Sequence, residues 1–570
     1  MIGLGLNFGE FNSSAAAFVN EAITLGCAEE RFNRQKKTKA FPRESIQFIL
    51  DELETPLADV DFVACGWNPG CYWEKYNPLV SANRVRREHN LFAAGDHLSR
   101  FMTLDDRRTG ADFTMVRSSG QLPDTYHVNH HTCHAANAYY LSPFDQAAVV
   151  TLDWTGEFET TTISEGSGLR LDRISSMRMP HSLGMFYATF TELLGYRSDS
   201  DEWKVMALAA YEPSSDGRRF KSYISGMVRL GEEGQFELDQ RYFKGAVLTH
   251  GELFTEALVA VLGHEPQNPD WCIDIAWAMQ RVAEEIGCHI MRWARKVTGL
   301  KQVAIGGGFA MNTVFNAKIQ EREIFDEVYV PYAPSDLGNS IGAALYVAHD
   351  IKAQQRGNCR YDYSSSYIGP SYTASYMQSE LDRRKLKYRR VTDDAVVNLL
   401  LMEQPVGFFG GRSEFGERAL GNRSILASPL HASMKDTINA CVKYREEYRP
   451  FAPVVPAEQA HRFFEVSENY RAPYMEKVVQ VRPEYRDKLA AITHEDGSAR
   501  LQTVTAKQNP RLHTILEHMD KAGRPPVLLN TSFNTSREPM VNSPGDAINT
   551  FFDSGLDHLI VGEYLVGKRT

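Results

Sequence analysis

The chain has 570 residues, 43% hydrophobic and 24% charged, which at ~100–200 residues per domain predicts three or four folding units with ample core material. That balance excludes low-complexity disorder, a collagen-like repeat and a small disulfide scaffold. With 62 Lys+Arg against 72 Asp+Glu the net charge is −10, so the surface has no general attraction for phosphate backbones, although a local basic groove is compatible with it.

The opening MIGLGLNFGEFNSS lacks the basic start and long apolar run of a secretory leader, and no stretch reaches the ~18 apolar residues of a membrane span. The eight cysteines are scattered and none forms a C-x-x-C pair. Free thiols in a reducing cytosol fit that dispersion better than disulfides or structural zinc. The expectation is a cytoplasmic protein with no membrane partner.

Residues 2–7, IGLGLN, read as an apolar strand running into the turn FGEFNSS, and AAAFVN followed by AITLGCAEE completes a hairpin. Phe41 to Leu53 has helical spacing, with Ile46, Ile49 and Leu50 on one side. DFVACGW at 61–67 is a buried strand. QAAVVTL at 146–152 is another, ending at Asp153-Trp154-Thr155-Gly156-Glu157, and TTTISEG is its return strand. Two strand–turn–strand units, near 3–26 and 148–171, are the spacing of a duplicated α/β domain that clamps a nucleotide between its halves. A helix follows over 271–298, then the strand and glycine turn QVAIGGGFAMNTVFN, the strand DEVYVPY and a helix from Ile341. Polar residues at 351–366 read as a linker, which leaves 1–350 and 367–570 as the two main units.

Three places carry chemistry. His130 and His134 project from one helix face and can share a metal ion; a histidine pair at that spacing also serves capping or packing. Asp153 and Asp336 lie at strand-to-turn junctions, and two imidazoles with two carboxylates suit iron, manganese or zinc. His131 faces elsewhere, either packing or serving the substrate. Gly306-Gly307-Gly308 after a strand allows close approach of backbone amides to phosphate, with Asn312 and Asn316 as polar readers, although glycine turns are common after strands. In the carboxy-terminal unit Arg412, Arg418, Arg423, Lys443, Arg445 and Arg449 recur among glycine, proline and aromatic residues, with Asn530, Ser532 and Asn534 following. That interleaving favours a pocket for small anions over a solvated surface.

At these residues the chain becomes recognisable. HHTCHAANAYY, LDWTGEFETT, DEWKVMALAAY, GGGFAMNTVFN, PSDLGNSIGAAL, GRSEFGERALGNRSIL, VKYREEYRPFAP, HEDGSARLQTV and NTSFNTSREPMV follow one another as in the O-carbamoyltransferases, a family that includes nodulation protein U and the cephalosporin and tobramycin enzymes. The resemblance implies an α/β protein with an amino-terminal actin/sugar-kinase-like domain (ASKHA), similar to TsaD, and a carboxy-terminal YrdC-like domain. It implies that the second domain turns carbamoyl phosphate and ATP into carbamoyl adenylate. The first domain then transfers the carbamoyl group to an acceptor hydroxyl. Carried over by position, His130, His134, Asp153 and Asp336 become ligands of a divalent metal, iron before manganese, magnesium or zinc. Gly307, Gly308 and Asn312 contact the adenylate. Lys443, Arg418 and Arg449, with Asn530, Ser532 and Asn534, serve carbamoyl phosphate and ATP. A homodimer is compatible with the resemblance.

The chain departs from the family pattern in three places. Phe11 stands where many members have a histidine placed as a general base, Trp203 where a glycine is usual, and Glu417 where a proline is usual. The acceptor expected first is a small hydroxylated metabolite. The alternative is a hydroxymethylated base in DNA, gripped by the arginines of 71–118 and the run RRKLKYRR at 383–390, which also read as solvated helix faces, and stacked on Phe11 and Trp203. A sugar-kinase-like phosphotransferase and a nucleotide-sensing binding protein are the competing readings from other classes.

Overall fold

A computed structural model describes residues 1–9, 12–68, 94–98, 101, 122–244, 253–357, 365–443, 448–449, 451–536 and 538–568. Residues 2–329 contribute two five-stranded sheets with the same layout. In the first, β1 (Ile2–Asn7), β2 (Ser14–Val19) and β3 (Ala22–Ala28) form an antiparallel meander, and β4 (Phe62–Cys65) and β5 (Thr125–His127) add in parallel beside β1, giving the order β3-β2-β1-β4-β5. In the second, β6 (Gln146–Leu152), β7 (Glu159–Ser167) and β8 (Arg170–Arg178) repeat the meander. The strands β9 (Gln302–Gly306) and β10 (Glu327–Tyr329) repeat the parallel pair, so the order is β8-β7-β6-β9-β10. The duplication expected from the two hairpins is present, strand for strand.

Each sheet hands a helix to the other. α1 (His130–Tyr140) leaves β5 and packs on β6, β7 and β9, whereas α5 (Asn339–Tyr346) follows β10 and packs on β1, β2 and β4. The two helices also pack on each other. α1 is buried all round except at Thr132, as its lack of charged residues dictates. Small residues set the distance between the helices: a Cβ on Gly342 would lie 1.9 Å from the Cys133 carbonyl oxygen. On the outer side, α2 (Leu183–Leu193) and the long α3 (Pro269–Thr298) pack together, and α4 (Thr313–Glu321) follows β9. Asn268 caps α3 and a left-handed Gly299 ends it.

The back half is built on one eight-stranded mixed sheet. Its strands are β11 (Tyr388–Arg390), β12 (Val406–Phe409), β13 (Arg423–Ala427), β14 (Ala452–Pro456), β15 (Gln502–Val504), β16 (Leu528–Ser532), β17 (His558–Val561) and β18 (Tyr564–Gly567). They lie in the order β11-β18-β17-β12-β13-β16-β14-β15. Part of the stretch read as a linker is fastened to the front half. Arg356 donates to the carbonyls of Tyr139, Tyr140, Ser142 and Phe144, which satisfies the end of α1. Among the described residues no helix is long and apolar enough to cross a membrane.

Candidate active site

The site starts at the amino end of α1. Glu157, in the turn after β6, accepts from the His130 amide at 3.0 and 3.1 Å and from the Asn68 amide at 2.8 Å. A carboxylate there suits the positive end of the helix and anchors its first turn over the end of β6. Asp336 sits in a short turn (Asp336–Gly338) whose cap is Ser335. Ser14 of β2 ties that turn down by donating to the Leu337 carbonyl at 2.8 Å.

His130 and His134 therefore face Asp153 and Asp336 across the seam between the two sheets. His130 Nε2 lies 3.0 Å from Asp153 Oδ2 and 3.2 Å from Asp336 Oδ1; His134 Nε2 lies 3.2 and 3.1 Å from the same atoms. The two Nε2 atoms are 3.0 Å apart, and all four ligand atoms fall within 4.8 Å of one another, every residue buried. Burial opposes charge on His130, but Asp336 and Asp153 outweigh it and hold the imidazole well above its ordinary range. Burial likewise pushes Asp153 up, and the two imidazoles more than reverse this. A divalent cation would replace the protons held here, because two neutral imidazoles and two carboxylates form a common donor set for such an ion. The outer side agrees with that reading. His130 Nδ1 meets the Asn339 amide group at 3.2 Å, while Asn339 Oδ1 has no partner. Turning the amide over gives Nδ1–H an acceptor and leaves the Nε2 lone pair for a metal.

His131 faces away from the quartet and, of the two roles open to it, takes packing. Its ring nitrogens meet Thr151 Oγ1 at 2.7 Å and the Glu159 carbonyl at 2.9 Å, and burial pushes its pKa well below the ordinary value.

The glycine run serves the quartet. Gly307 has φ +93°, and a Cβ there would lie 2.2 Å from the Leu152 carbonyl oxygen, so only glycine allows β6 and β9 to close at this point. The Gly307 amide donates to Pro334 O at 2.8 Å and the Gly308 amide to Asp153 Oδ1 at 2.9 Å. Both amides are thus engaged inside the protein, and the second orients a quartet carboxylate. Asn312 caps α4 by accepting from the Phe315 amide at 3.0 Å and donates to Gln280 Oε1 at 3.0 Å. Asn316 is a tie rather than a reader, since it donates to Ala310 O and Glu476 O.

A cavity of about 870 Å³ runs from Asp153, Asp336, Gly308 and Asn312 to Arg418, Lys443, Arg449, Asn530, Ser532 and Asn534. Lys443 Nζ donates to Ser532 Oγ at 3.1 Å and to Asn534 O and Oδ1 at 2.9 Å. Two stretches about 90 positions apart thus meet around one ammonium. Asn530 donates to Ala419 O at 3.1 Å and to Gln502 Oε1 at 2.7 Å. Arg418 lines the same space without an ion pair or hydrogen bond among the described residues. Burial pushes its pKa down while Glu417 opposes this.

The other arginines of that motif are corrections to the expected anion pocket. Arg423 is fully buried and donates to the carbonyls of Gly410 at 2.8 Å and Pro370 at 3.1 Å, stacked on Phe409. Arg412 pairs with Glu52 of the front half at 2.7 Å. Arg445 lies outside the described residues. Glu414 explains the motif's spacing: its Oε1 accepts from the amides of Leu420, Asn422 and Arg423 and closes the loop that presents Arg418.

The run 383–390 is a solvated face, with Arg383 on Glu380 and Arg390 on Glu563, each at 2.7 Å. Phe11 and the arginines proposed for a groove in 71–118 lie outside the described residues. The Trp203 ring, offered by the sequence as a stacking surface for a base, has the Arg449 guanidinium 3.3 Å from its centroid. Glu417 accepts from the Ser335 hydroxyl, next to Asp336. The sequence reading missed Glu202, which lines the cavity and whose carboxyl burial pushes up to about 7; its signal was the acidic start of DEWKVMALAAY.

Two carboxylates of a buried quartet that could hold a metal ion, Asp153 and Asp336, line one cavity with a cationic cluster. The chain belongs to the carbamoyltransferase family: residues 3–345 match the Carbamoyltransferase N-terminus and residues 397–568 the Carbamoyltransferase C-terminus. It is an enzyme of carbamoyl transfer. It is 33% identical to Nodulation protein NolNO of Sinorhizobium fredii over 98% of this chain and 79% of that one. It is 32% identical to an uncharacterized protein of Synechocystis sp. over 98% of this chain and 95% of that one. It is 27% identical to the 3'-hydroxymethylcephem-O-carbamoyltransferase of Amycolatopsis lactamdurans over 79% of this chain and 82% of that one.

Proposed function

We propose that the protein is an ATP-dependent O-carbamoyltransferase in which the back half, a YrdC-like unit, makes carbamoyl adenylate from carbamoyl phosphate and ATP. The front half, an actin/sugar-kinase-like unit, passes the carbamoyl group to an alcohol. The observation that carries this reading is the single cavity lined both by Asp153 and Asp336 of the quartet and by the Lys443 cluster. A carbamoyl group is a poor electrophile because nitrogen conjugation stabilises its carbonyl, so it must carry a good leaving group. In the adenylate that group is AMP, put in place of the donor's phosphate with uptake of one water and release of inorganic phosphate and of pyrophosphate from ATP. Arg418, Arg449 and Lys443 supply positive charge where phosphate oxygens would sit, with Asn530, Ser532 and Asn534 fixing the surroundings of the ammonium. Keeping both sites on one cavity would shorten the time a hydrolysable adenylate spends exposed to bulk water.

His130, His134, Asp153 and Asp336 would hold the divalent metal, iron being the first assignment, which supplies Lewis-acid stabilisation of phosphate and carbonyl oxygens. Gly308 keeps Asp153 aimed at the imidazoles. The acceptor assigned first is a small hydroxylated metabolite; in the run 383–390 three of the cations, Arg383, Arg384 and Arg390, are engaged by Glu380 and Glu563. Mass analysis of products from carbamoyl phosphate, ATP and a panel of amino-sugars, nucleosides and hydroxymethylated DNA tests the assignment. A carbamoylated small alcohol supports it, and a product found only on DNA refutes it. Transfer of γ-phosphate instead of the carbamoyl group would refute the whole reading.

A further inference from the structure

Arg449 follows the back-half segment that carries Lys443, yet its guanidinium lies 3.3 Å from the centroid of the Trp203 ring, on the front-half helix Glu202–Leu208. The ring is itself fixed, since Trp203 Nε1–H donates to the Ser200 carbonyl at 2.9 Å. One residue before Arg449, the Tyr448 hydroxyl meets the Tyr196 hydroxyl at 2.9 Å. The segment carrying the arginine therefore touches the front half twice. Trp203, Arg449 and Lys443 all line the shared cavity.

Stacking occupies the face of a guanidinium and leaves the in-plane edge, where its N–H donors point, to meet an anion. A long side chain that must be ordered to clamp a ligand loses rotamer freedom on binding, and a ring that already holds it flat removes part of that cost. We infer that Trp203 is a positioning residue for the donor: the front half supplies the aromatic plate that holds Arg449 for carbamoyl phosphate, so the donor pocket is complete only when both halves are present. The inference rests on the donor role proposed for Arg449. It also gives a purpose to one departure from the family pattern, since a glycine at this position has no ring to offer.

The test measures carbamoyl phosphate-dependent ATP–pyrophosphate exchange by the full-length chain, W203F and W203L, with unfolding temperatures recorded in parallel. W203L raises the KM for carbamoyl phosphate by about tenfold, the scale of a desolvated cation–π contact, while kcat and the unfolding temperature change far less. W203F, which keeps a ring face, recovers most of the loss. Equal KM values in all three proteins overturn the inference, and so does an equal loss in W203F and W203L, which would mean that bulk alone matters. Absence of exchange in the parent protein defeats the functional reading, and this inference with it, before any variant is compared.

Discussion

His134 Nε2 lies 3.1 Å from Asp336 Oδ1, although 202 positions separate the two residues in the chain. One belongs to the helix after the first sheet and the other to the turn before the matching helix of the second sheet. The duplication thus brings equivalent ends of two units to one point and makes a donor set that neither unit has alone.

That geometry predicts about one tightly bound divalent ion per chain. His134→Ala and Asp336→Asn should each release it, as read by elemental analysis of purified protein. A wild-type chain that takes up no ion when offered iron, manganese or zinc contradicts the quartet assignment.

Two arginines five residues apart should behave oppositely. Arg418 makes no ion pair or hydrogen bond among the described residues and feels only the charge of Glu417, so Arg418→Ala should lower the unfolding temperature far less than Arg423→Ala and weaken use of carbamoyl phosphate by tenfold or more, at ~1.5–3 kcal/mol for a charged hydrogen bond. Arg423→Ala empties a buried position and orphans several carbonyls, costing about 3–5 kcal/mol of stability. Comparable unfolding temperatures for the two variants would refute this division.

Gly307→Ala places a methyl group 2.2 Å from the Leu152 carbonyl oxygen on a backbone at φ +93°. Relief requires β6 and β9 to part, which moves Asp153. The variant should be less stable by more than ~1 kcal/mol and should bind the metal more weakly, a change visible by metal titration. Unaltered metal affinity would show that the glycine serves only the turn.

Glu202 gives a pH signature. Burial raises its carboxyl from 4.5 to about 7, so between these values the folded chain binds more protons at this group than the unfolded chain does. The contribution of Glu202 to stability therefore falls as pH rises across that window. Glu202→Gln should remove this component, giving a higher unfolding temperature than wild type at pH ~8 and little change at pH ~4, below the window. A wild-type and variant pair that respond identically to pH would contradict the assignment.

Legibility in the sequence followed locality. The two hairpins and the quartet are readable because apolar runs broken by polar turns, strand-end carboxylates and an i,i+4 histidine pair are short-range signals. The three-residue strand Thr125–His127 is too short to show alternation. The order of the back-half sheet, where Val406–Phe409 pairs in parallel with His558–Val561, is set by contacts distant in the chain. Nothing local separates Arg418 from Arg423: both lie in one glycine-rich motif, and only the fold decides which one Phe409 and the carbonyls enclose. The glycine run is open in sequence to a phosphate cradle or a structural turn alike, because a sequence does not show that its amides go to Pro334 and Asp153. Trp203 was visible as an unusual residue, but its partner was not, because the contact crosses between halves.

The most direct measurement compares the two half-reactions in Lys443→Ala and His134→Ala. Carbamoyl phosphate-dependent ATP–pyrophosphate exchange reports the back half, and carbamoylated product reports the front. Exchange lost in Lys443→Ala, but retained in His134→Ala while product disappears, is the result expected of separate activation and transfer sites. Parallel loss of exchange and product in both variants would contradict it.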